Sequence, residues 1–276
     1  MTGAEEKRGL YADPVLYDIL YTPGTAAEVT ALEKVERHFA GGSSLKKNRL
    51  WLEPACGTGR YLRVAAGRGR RCLGFDIDVR QLDYGRDRKM RPDGASPPRY
   101  HLGDMKDFAT ACGLEPGSVD FAFNPVNSLR HLQSDRAMIA HFAQMAAVLK
   151  PDAVYVVGIS LTDYTWLSPE EDLWESVRGG CRVSQLVNYL PPEPGTRRGR
   201  TERVVSHLTV THGQDTQHWD DAYDLRCYDR RQWDQLVEKS AMQTLGSFDG
   251  QGRPLEGRIL PYQFEVLGPR KFSAST

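Results

Sequence analysis

Short apolar runs alternate with amphipathic stretches along the chain between residues 49 and 160. The runs are short, as strands are, whereas apolar residues in the stretches between them recur every three or four positions, as in helices. Strands that alternate with helices predict βαβ units and a parallel sheet buried on both faces. The predicted strands are Arg49–Glu53, Arg71–Asp76, Tyr100–Gly103, Ser118–Phe123 and Val154–Ile159, and helices are predicted from Arg60, over Val79–Met90 and over Ser134–Leu149.

The pattern changes after residue 162. Three β-rich stretches near residues 182–189, 203–210 and 219–228 follow one another without helices between them, which predicts an antiparallel sheet. A helix over Arg231–Ser240 and strands near Gln243–Phe248 and Tyr262–Leu267 then complete the α/β pattern. The predicted fold class is α/β, with a doubly wound, mostly parallel seven-stranded sheet and a small antiparallel β insert after the fifth strand.

Four segments follow from this pattern. Residues 1–44 are predicted to form an N-terminal helical lid, interrupted at Pro23–Gly24. Residues 45–161 form the main part of the core, and residues 162–229 form the insert, which we expect to serve as a substrate lid or as the surface of a homodimer. Residues 230–276 supply the final helix and strands of the core.

Composition narrows the class of protein. The 276 residues carry 36 Lys and Arg against 36 Asp and Glu, so no overall field favours nucleic acid or a membrane as a partner. The five cysteines are odd in number and far apart, which indicates free thiols rather than disulfides or a zinc site. The N-terminus lacks an apolar signal segment, and no apolar run approaches the roughly 20 residues that span a bilayer. We therefore expect a cytoplasmic protein without a metal.

Polar groups follow successive predicted strands, at the point where each strand ends. The first strand ends at Glu53 and the turn Ala55-Cys56-Gly57-Thr58-Gly59, the second at Asp76, the third at Asp104 and the fourth at Asn124. In an open parallel sheet, ligands bind beyond these carboxyl ends of the strands. The glycines allow a tight turn and let a ligand approach the backbone. This arrangement predicts one ligand site along the edge of the sheet.

The residues around the turn discriminate between nucleotide cofactors. The carboxylate of Glu53 would repel the pyrophosphate of a dinucleotide, and no Gly-Lys-Ser/Thr sequence follows to form a phosphate loop. The same carboxylate suits a cation, such as the α-ammonium group of a cofactor derived from methionine. A carboxylate such as Asp76, roughly 20 residues further on, is placed to bind ribose hydroxyls.

The strand-end motifs resemble those of class I S-adenosylmethionine-dependent methyltransferases, over about residues 48–160. The segment Asn127–Leu132 is similar to members that methylate amines and other small metabolites. Asn124-Pro125-Val126-Asn127 lacks the second proline and the aromatic residue of enzymes that methylate adenine or glutamine amino groups, which argues against those substrates. The matching motifs are Leu52–Arg60, Gly74–Asp78, Gly103–Met105, Val119–Asn124 and Leu149–Asp152.

The resemblance implies S-adenosyl-L-methionine as cofactor, with S-adenosyl-L-homocysteine as product. It assigns Gly57 and Gly59 to backbone contact with the amino-acid part of the cofactor, and Glu53 to its ammonium group. Asp76 would bind the ribose, Asp104 the adenine amino group and Met105 would add a backbone contact. Ala55 stands where many members have glycine, and its small side chain fits the same turn. The expected cofactor-binding set is completed by Ala55, Arg60, Ile77 and Asn124.

Three residues are candidates for the catalytic side of the site. His131 follows the fourth strand and is the candidate base, although a histidine on the surface at a helix start explains it as well. Asn127 is expected either to face the substrate or to stabilise a turn. Tyr17 is expected either to cover the cofactor and orient an amine or to pack within an N-terminal helix.

The predicted function is methyl transfer to an amine or hydroxyl group of a small metabolite by in-line displacement. One alternative is an enzyme that uses the sulfonium of the same cofactor for another displacement or a cyclisation. A second is a cofactor-binding module without catalysis, and a weaker third is an RNA methyltransferase. The expected partner is therefore a small-molecule substrate, joined by a second copy of the chain if the insert serves as a dimer surface rather than as a lid. No membrane is expected, and nucleic acid is expected only under the third alternative.

Overall fold

The computed structural model describes residues 9–40, 48–90, 92 and 95–270. Its contacts divide the chain into a core unit (Thr25–Asp163 and the residues from Tyr228 onward) and an inserted unit (the residues up to Gly24 and Tyr164–Cys227). The helices are α1 (Pro14–Tyr21), α2 (Thr25–Phe39), α3 (Arg60–Gly67), α4 (Val79–Asp87), α5 (Asp135–Val148) and α6 (Arg230–Glu238). The strands are β1 (Leu50–Pro54), β2 (Arg71–Asp76), β3 (Arg99–Leu102), β4 (Val119–Asn124), β5 (Leu149–Ser160), β6 (Glu170–Arg178), β7 (Cys181–Leu190), β8 (Thr201–His212), β9 (Asp215–Arg226), β10 (Met242–Phe248) and β11 (Tyr262–Pro269).

The core unit is built on a seven-stranded sheet with the strand order β3-β2-β1-β4-β5-β11-β10. Neighbouring strands from β3 to β5 run parallel, and β11 runs antiparallel to both β5 and β10. The strand order reverses between β1 and β4, which is the switch point where open α/β sheets bind ligands. The predicted fold class is confirmed, including the mostly parallel seven-stranded sheet.

Helices cover both faces of this sheet because its central strands are apolar on both sides. All five residues of β1 are buried. On one face, α5 and α6 contribute side chains such as Phe142 and Trp233 to the core. On the other face, α2 and α3 contribute side chains such as Leu32 and Leu62. The two layers leave the carboxyl ends of the strands as the edge where polar groups collect.

The register of the parallel strands brings three of the predicted site residues to one edge of the sheet. Glu53 in β1 is level with Gly74 in β2, two residues before Asp76. Asp76 is in turn level with Leu102 in β3, two residues before Asp104. Glu53, Asp76 and Asp104 therefore follow one another along the carboxyl edge of β1, β2 and β3.

The inserted unit contains a four-stranded antiparallel sheet with the order β6-β7-β8-β9. Helix α1 belongs to this unit, where its residues Leu16 and Leu20 form an apolar cluster with Val183 and Leu208. The buried carboxylate of Asp18 in α1 pairs with Arg178 in β6 at 2.8 Å. Helix α1 is thus fixed to the sheet by a small core and an ion pair.

The prediction of three strands in the insert is wrong, because β6 precedes them. Strand β6 begins with the acids Glu170, Glu171 and Asp172, and most of its side chains are exposed. It therefore lacks the apolar alternation that marks a half-buried strand. Gly179 and Gly180, with φ angles of 57° and 80°, form the turn that joins β6 to β7. Among the described residues, no helix combines the length and apolarity needed to cross a membrane.

Candidate active site

The glycine turn after β1 has backbone angles that glycine accommodates readily. Gly57 and Gly59 have φ angles of 52° and 69°, in the left-handed region. A Cβ atom at Gly59 would lie 2.3 Å from the hydroxyl oxygen of Tyr100, so no side chain fits there. The backbone N–H of Cys56 donates to the carbonyl of Phe75 at 3.0 Å, which holds the turn against β2. The turn is therefore tight, and its glycines leave the backbone open to a ligand.

Ala55 also has a positive φ angle, of 49°. From the sequence, alanine is a small residue that fits this turn without difficulty. The left-handed region costs a residue with a Cβ atom about 1–2 kcal/mol relative to right-handed backbone. Ala55 therefore fits the turn only with backbone strain, which no sequence pattern indicates.

The carboxylate of Asp76 joins the glycine turn to the end of β2. Its Oδ2 accepts a hydrogen bond of 2.8 Å from the backbone N–H of Gly57, and its Oδ1 accepts one of 2.9 Å from that of Asp78. Burial raises the pKa of Asp76, whereas these two N–H donors act in the opposite direction. Each carboxylate oxygen has a second lone pair, so Asp76 can accept further hydrogen bonds from the hydroxyl groups of a ribose.

Glu53 places a buried carboxylate beside the turn. Its side chain is only 3% exposed, and its Oε2 accepts no hydrogen bond from any of the described residues. Burial raises the pKa of Glu53 well above its ordinary value, although the positive charge of Arg60 acts in the opposite direction. A buried acceptor without a partner is costly, and a cationic donor is the group that would satisfy it best. The α-ammonium group of S-adenosylmethionine is such a donor.

Arg60, the first residue of α3, is held by α2. Its guanidinium donates 2.8 Å hydrogen bonds to the side chains of Thr25 and Glu28, and it lies 3.9 Å from the ring centroid of Tyr61. Thr25 and Glu28 are some 30 positions away in sequence, and no pattern in the chain indicates that they contact Arg60. No side chain of the described residues caps the N-terminus of α3, so its first backbone N–H groups suit the carboxylate of an amino acid.

The adenosine side of the site combines apolar and polar groups. Ile77, directly after β2, is 74% exposed, so its side chain offers an apolar surface for a base or a ribose. Asp104, after β3, accepts a 2.9 Å hydrogen bond from the backbone N–H of Lys106 and lies 3.1 Å from its ammonium group. Met105 packs partly against the core. Asp104 is only partly buried, which leaves its carboxylate accessible to an amino group.

Asn124 connects the ends of the two strands at the switch point. Its side chain is 1% exposed, and its amide nitrogen donates a 2.8 Å hydrogen bond to the carbonyl of Pro54. Its Oδ1 is buried and accepts no hydrogen bond from the described residues. Asn124 therefore fixes β4 to β1 and keeps one acceptor available.

Asn127 stabilises the loop that follows β4. Its φ angle is 57°, which asparagine tolerates better than most residues. Its amide nitrogen donates to Ser160 Oγ at 2.9 Å, and its Oδ1 accepts from the Ser160 backbone N–H at 2.7 Å. These bonds favour the role in the turn over direct contact with a substrate, which for Asn127 stays a prediction.

His131 ends a short 3₁₀-helix (Ser128–His131) beyond β4 and is an exposed residue. Desolvation by the surrounding protein lowers the pKa of His131, and the positive charge of Arg130 lowers it further. A lowered pKa keeps the imidazole neutral and able to accept a proton at neutral pH.

Tyr17 belongs to the inserted unit. Its ring lies 5.9 Å from that of Tyr11 and 5.0 Å from that of Tyr21, measured between centroids. Tyr17 and Tyr21 lie on α1, and Tyr11 lies in the 3₁₀-helix Leu10–Ala12 before it. This row of tyrosines is compatible with packing and with the predicted role at the substrate, so the role of Tyr17 also stays a prediction.

Comparison with known proteins agrees with this geometry. Residues 52–152 match the family described as methyltransferase domain. No curated protein sequence matches the chain at a significant level. Among solved structures, DesVI of Streptomyces venezuelae is 21% identical with a TM-score of 0.70, and the alignment covers 93% of this chain and 98% of that one.

Two further structures are similar over most of their length. KedS8 of a Streptoalloteichus species, described as a sugar N-methyltransferase, is 17% identical with a TM-score of 0.68, over 98% of this chain and 96% of that one. CalS10 of Micromonospora echinaspora, described as an amino pentose methyltransferase, is 21% identical with a TM-score of 0.63, and the alignment covers 89% of this chain and 90% of that one. At these identities the likeness concerns the fold.

The family match spans the turn after β1, the carboxylates after β2 and β3, and the end of β4. Residues 52–152 therefore form a methyltransferase domain, and the prediction of a class I S-adenosylmethionine-dependent methyltransferase is confirmed.

Proposed function

We propose that this enzyme transfers a methyl group from S-adenosylmethionine to an amine of a small molecule, and that the amine belongs to an amino sugar. The observation that carries the cofactor half of this proposal is the buried Glu53 Oε2 without a partner, beside the turn that Asp76 holds. The acceptor half is supported by likeness to KedS8 and CalS10, which are described as a sugar N-methyltransferase and an amino pentose methyltransferase.

The likeness to these two enzymes extends beyond the methyltransferase domain. The alignment with KedS8 covers 98% of this chain, so both the core unit and the inserted unit take part in it. A fold shared by both units favours the same kind of acceptor more than likeness of the widespread core alone. It does not distinguish one sugar from another.

The cofactor residues have separate tasks in this proposal. When bound, S-adenosylmethionine supplies an electrophilic methyl group on its sulfonium. Glu53 holds the ammonium group, Asp76 the ribose hydroxyls and Asp104 the adenine amino group. Together these three contacts fix both ends of the cofactor, so the reactive methyl group has one position.

The acceptor amine must be neutral to attack, because an ammonium ion has no lone pair. His131 is the proposed base that takes the proton from the amine, since its lowered pKa keeps the imidazole neutral. Tyr17 is proposed to orient the amine, and Asn127 to hold the loop that carries His131. That two copies of the chain form a homodimer through the inserted sheet also stays a prediction.

The test is a panel of matched sugars incubated with the enzyme and isotopically labelled S-adenosylmethionine. Each amino sugar is offered beside the same sugar with a hydroxyl group in place of the amine, as free sugar, as glycoside and as sugar nucleotide. We expect mass spectrometry to show methyl addition to amino sugars alone. Methylation of the hydroxyl sugars, or labelled products that carry no methyl group, would contradict the proposal.

A further inference from the structure

A buried histidine on α5 contacts the loop that follows β3. His141 is completely buried, and its Nδ1 lies 2.8 Å from the backbone carbonyl oxygen of Met105. Its Nε2 lies 2.9 Å from the hydroxyl group of Tyr155 in β5. His141 therefore connects the Asp104–Met105 loop to the centre of the sheet.

The two partners determine which nitrogen of His141 carries the proton. A carbonyl oxygen only accepts, so Nδ1 must donate to Met105, and Nε2 then accepts the hydroxyl proton of Tyr155. Burial lowers the pKa of His141 to about 4, so the ring is neutral at physiological pH, as this arrangement requires. Every polar atom of the His141 ring has a partner.

Gln144, one helical turn after His141, makes a second connection to the same loop. Its Oε1 accepts a 3.0 Å hydrogen bond from the backbone N–H of Ala109. Between the two connections, the ring of Phe108 stacks on that of Phe75, with 4.5 Å between the ring centroids. Helix α5 thus holds both ends of the segment Met105–Ala109.

We propose that His141 and Gln144 are positioning residues that hold the loop after β3 in the conformation that recognises the adenine base. This inference rests on the proposed function, which assigns Asp104 and Met105 to the adenine. Asp104 and Lys106 lie on the accessible side of the loop, where Asp104 is partly exposed. Without its connections to α5, the loop keeps its internal turn from Asp107 N–H to the Asp104 carbonyl and the packing of Phe108, but it loses the hydrogen bonds that fix Met105 and Ala109.

The test compares two ligands that differ only in the base, S-adenosylhomocysteine and S-inosylhomocysteine, by titration calorimetry. The inosine base has a carbonyl oxygen at C6 where adenine has its amino group, so it lacks the exocyclic donor proposed for Asp104, and its N1–H replaces the N1 acceptor of adenine. In the unmodified protein we expect S-adenosylhomocysteine to bind at least about tenfold more tightly, as for the loss of one hydrogen bond to a charged group. His141→Phe should weaken S-adenosylhomocysteine by about tenfold and bring the ratio of the two dissociation constants close to one.

Three more variants separate positioning from general stability. Gln144→Met removes only the second connection and should lower the ratio in part, even if His141→Phe does not fold. His141→Gln keeps a donor for Met105 and should restore part of the ratio. Met145→Leu alters the buried packing of α5 without touching the loop and should leave the ratio unchanged.

Two outcomes would overturn the inference. An unchanged ratio in folded Gln144→Met and His141→Phe would show that these residues do not position the adenine loop, while the proposed function would stand. No binding of either ligand to the unmodified protein would overturn the inference together with the proposed function.

Discussion

The backbone N–H of Gly57 donates a 2.8 Å hydrogen bond to the carboxylate of Asp76, across the carboxyl ends of β1 and β2. One carboxylate therefore both fixes the glycine turn and faces the proposed ribose site. The arrangement couples the shape of the turn to the residue proposed to bind the ribose of the cofactor, and replacement of Asp76 should affect both the turn and cofactor binding.

Asp76→Ala should lower the free energy of unfolding and weaken cofactor binding. The alanine leaves the N–H groups of Gly57 and Asp78 without their acceptor, which should cost about 1–3 kcal/mol of stability. Loss of the ribose contact should weaken S-adenosylmethionine in calorimetry by tenfold or more, on the order of one charged hydrogen bond. Unchanged affinity in the folded variant would remove Asp76 from the ribose site.

Glu53→Gln should weaken cofactor binding and reduce its dependence on pH in the acidic range. Burial raises the pKa of Glu53. In the proposed complex, the ammonium group of the cofactor would stabilise the ionised carboxylate. As the pH falls through the raised pKa, Glu53 takes up a proton that the cofactor must then displace, so affinity falls with falling pH. Calorimetry in buffers of different ionisation enthalpy measures the released proton.

Two results would contradict this account of Glu53. One is equal affinity of the variant and the unmodified protein at every pH. The other is absence of proton release by the unmodified protein on binding at acidic pH.

Ala55→Gly should raise the free energy of unfolding by up to about 1 kcal/mol, because glycine relieves the strain of the positive φ angle. The greater freedom of glycine in the unfolded chain offsets part of that gain. Ala65→Gly, inside α3, is the matched control and should destabilise the protein. Chemical denaturation measures both, and a less stable Ala55→Gly variant would refute the interpretation of strain.

His131→Phe should lower kcat by about 10²–10⁴ while the dissociation constant of S-adenosylmethionine stays unchanged, since a base acts on the acceptor. In the unmodified enzyme, kcat/KM should fall toward low pH because the imidazole of His131 becomes protonated. This part of the pH profile should differ in His131→Phe. His38→Gln, which replaces another exposed histidine of the core unit, serves as control and should keep its activity. Normal turnover in His131→Phe would exclude this residue as the base.

His141→Gln should flatten the pH dependence of stability between about pH 6.5 and 4. The unfolded imidazole takes up a proton below its ordinary pKa of 6.5, whereas the folded ring resists protonation until about pH 4. The stability contributed by neutral His141 is therefore complete above pH 6.5 and is lost as the pH falls, by about 3 kcal/mol in total. Chemical denaturation at several pH values measures the free energy of unfolding of the two proteins. The same pH dependence in both proteins across this range would contradict the prediction.

The site could be predicted from the sequence where strand ends alone place the residues. Glu53, Asp76 and Asp104 each end an apolar run, and parallel strands bring such ends to one edge of the sheet. The hydrophobic pattern was therefore sufficient to predict that these three residues share that edge. The pattern could not show that Ala55 has a positive φ angle, because that angle depends on how the turn meets β2. Strand β6 escaped detection because its exposed, acidic residues carry no apolar alternation.

Contacts between residues far apart in the chain could not be predicted from the sequence either. His141 lies among the apolar residues of α5, where a histidine is expected to be an ordinary core residue. Its bond to Met105 joins positions 36 residues apart, and the bonds of Arg60 to α2 join positions more than 30 apart. Without coordinates, nothing pairs these residues.

The most direct test of the central claim is a crystal structure of the protein with S-adenosylhomocysteine. We predict that one molecule lies across the ends of β1, β2 and β3, with its ammonium group about 3 Å from Glu53 Oε2 and its ribose hydroxyls about 3 Å from Asp76. A ligand bound elsewhere, or one whose ammonium group and ribose contact neither carboxylate, would contradict the account.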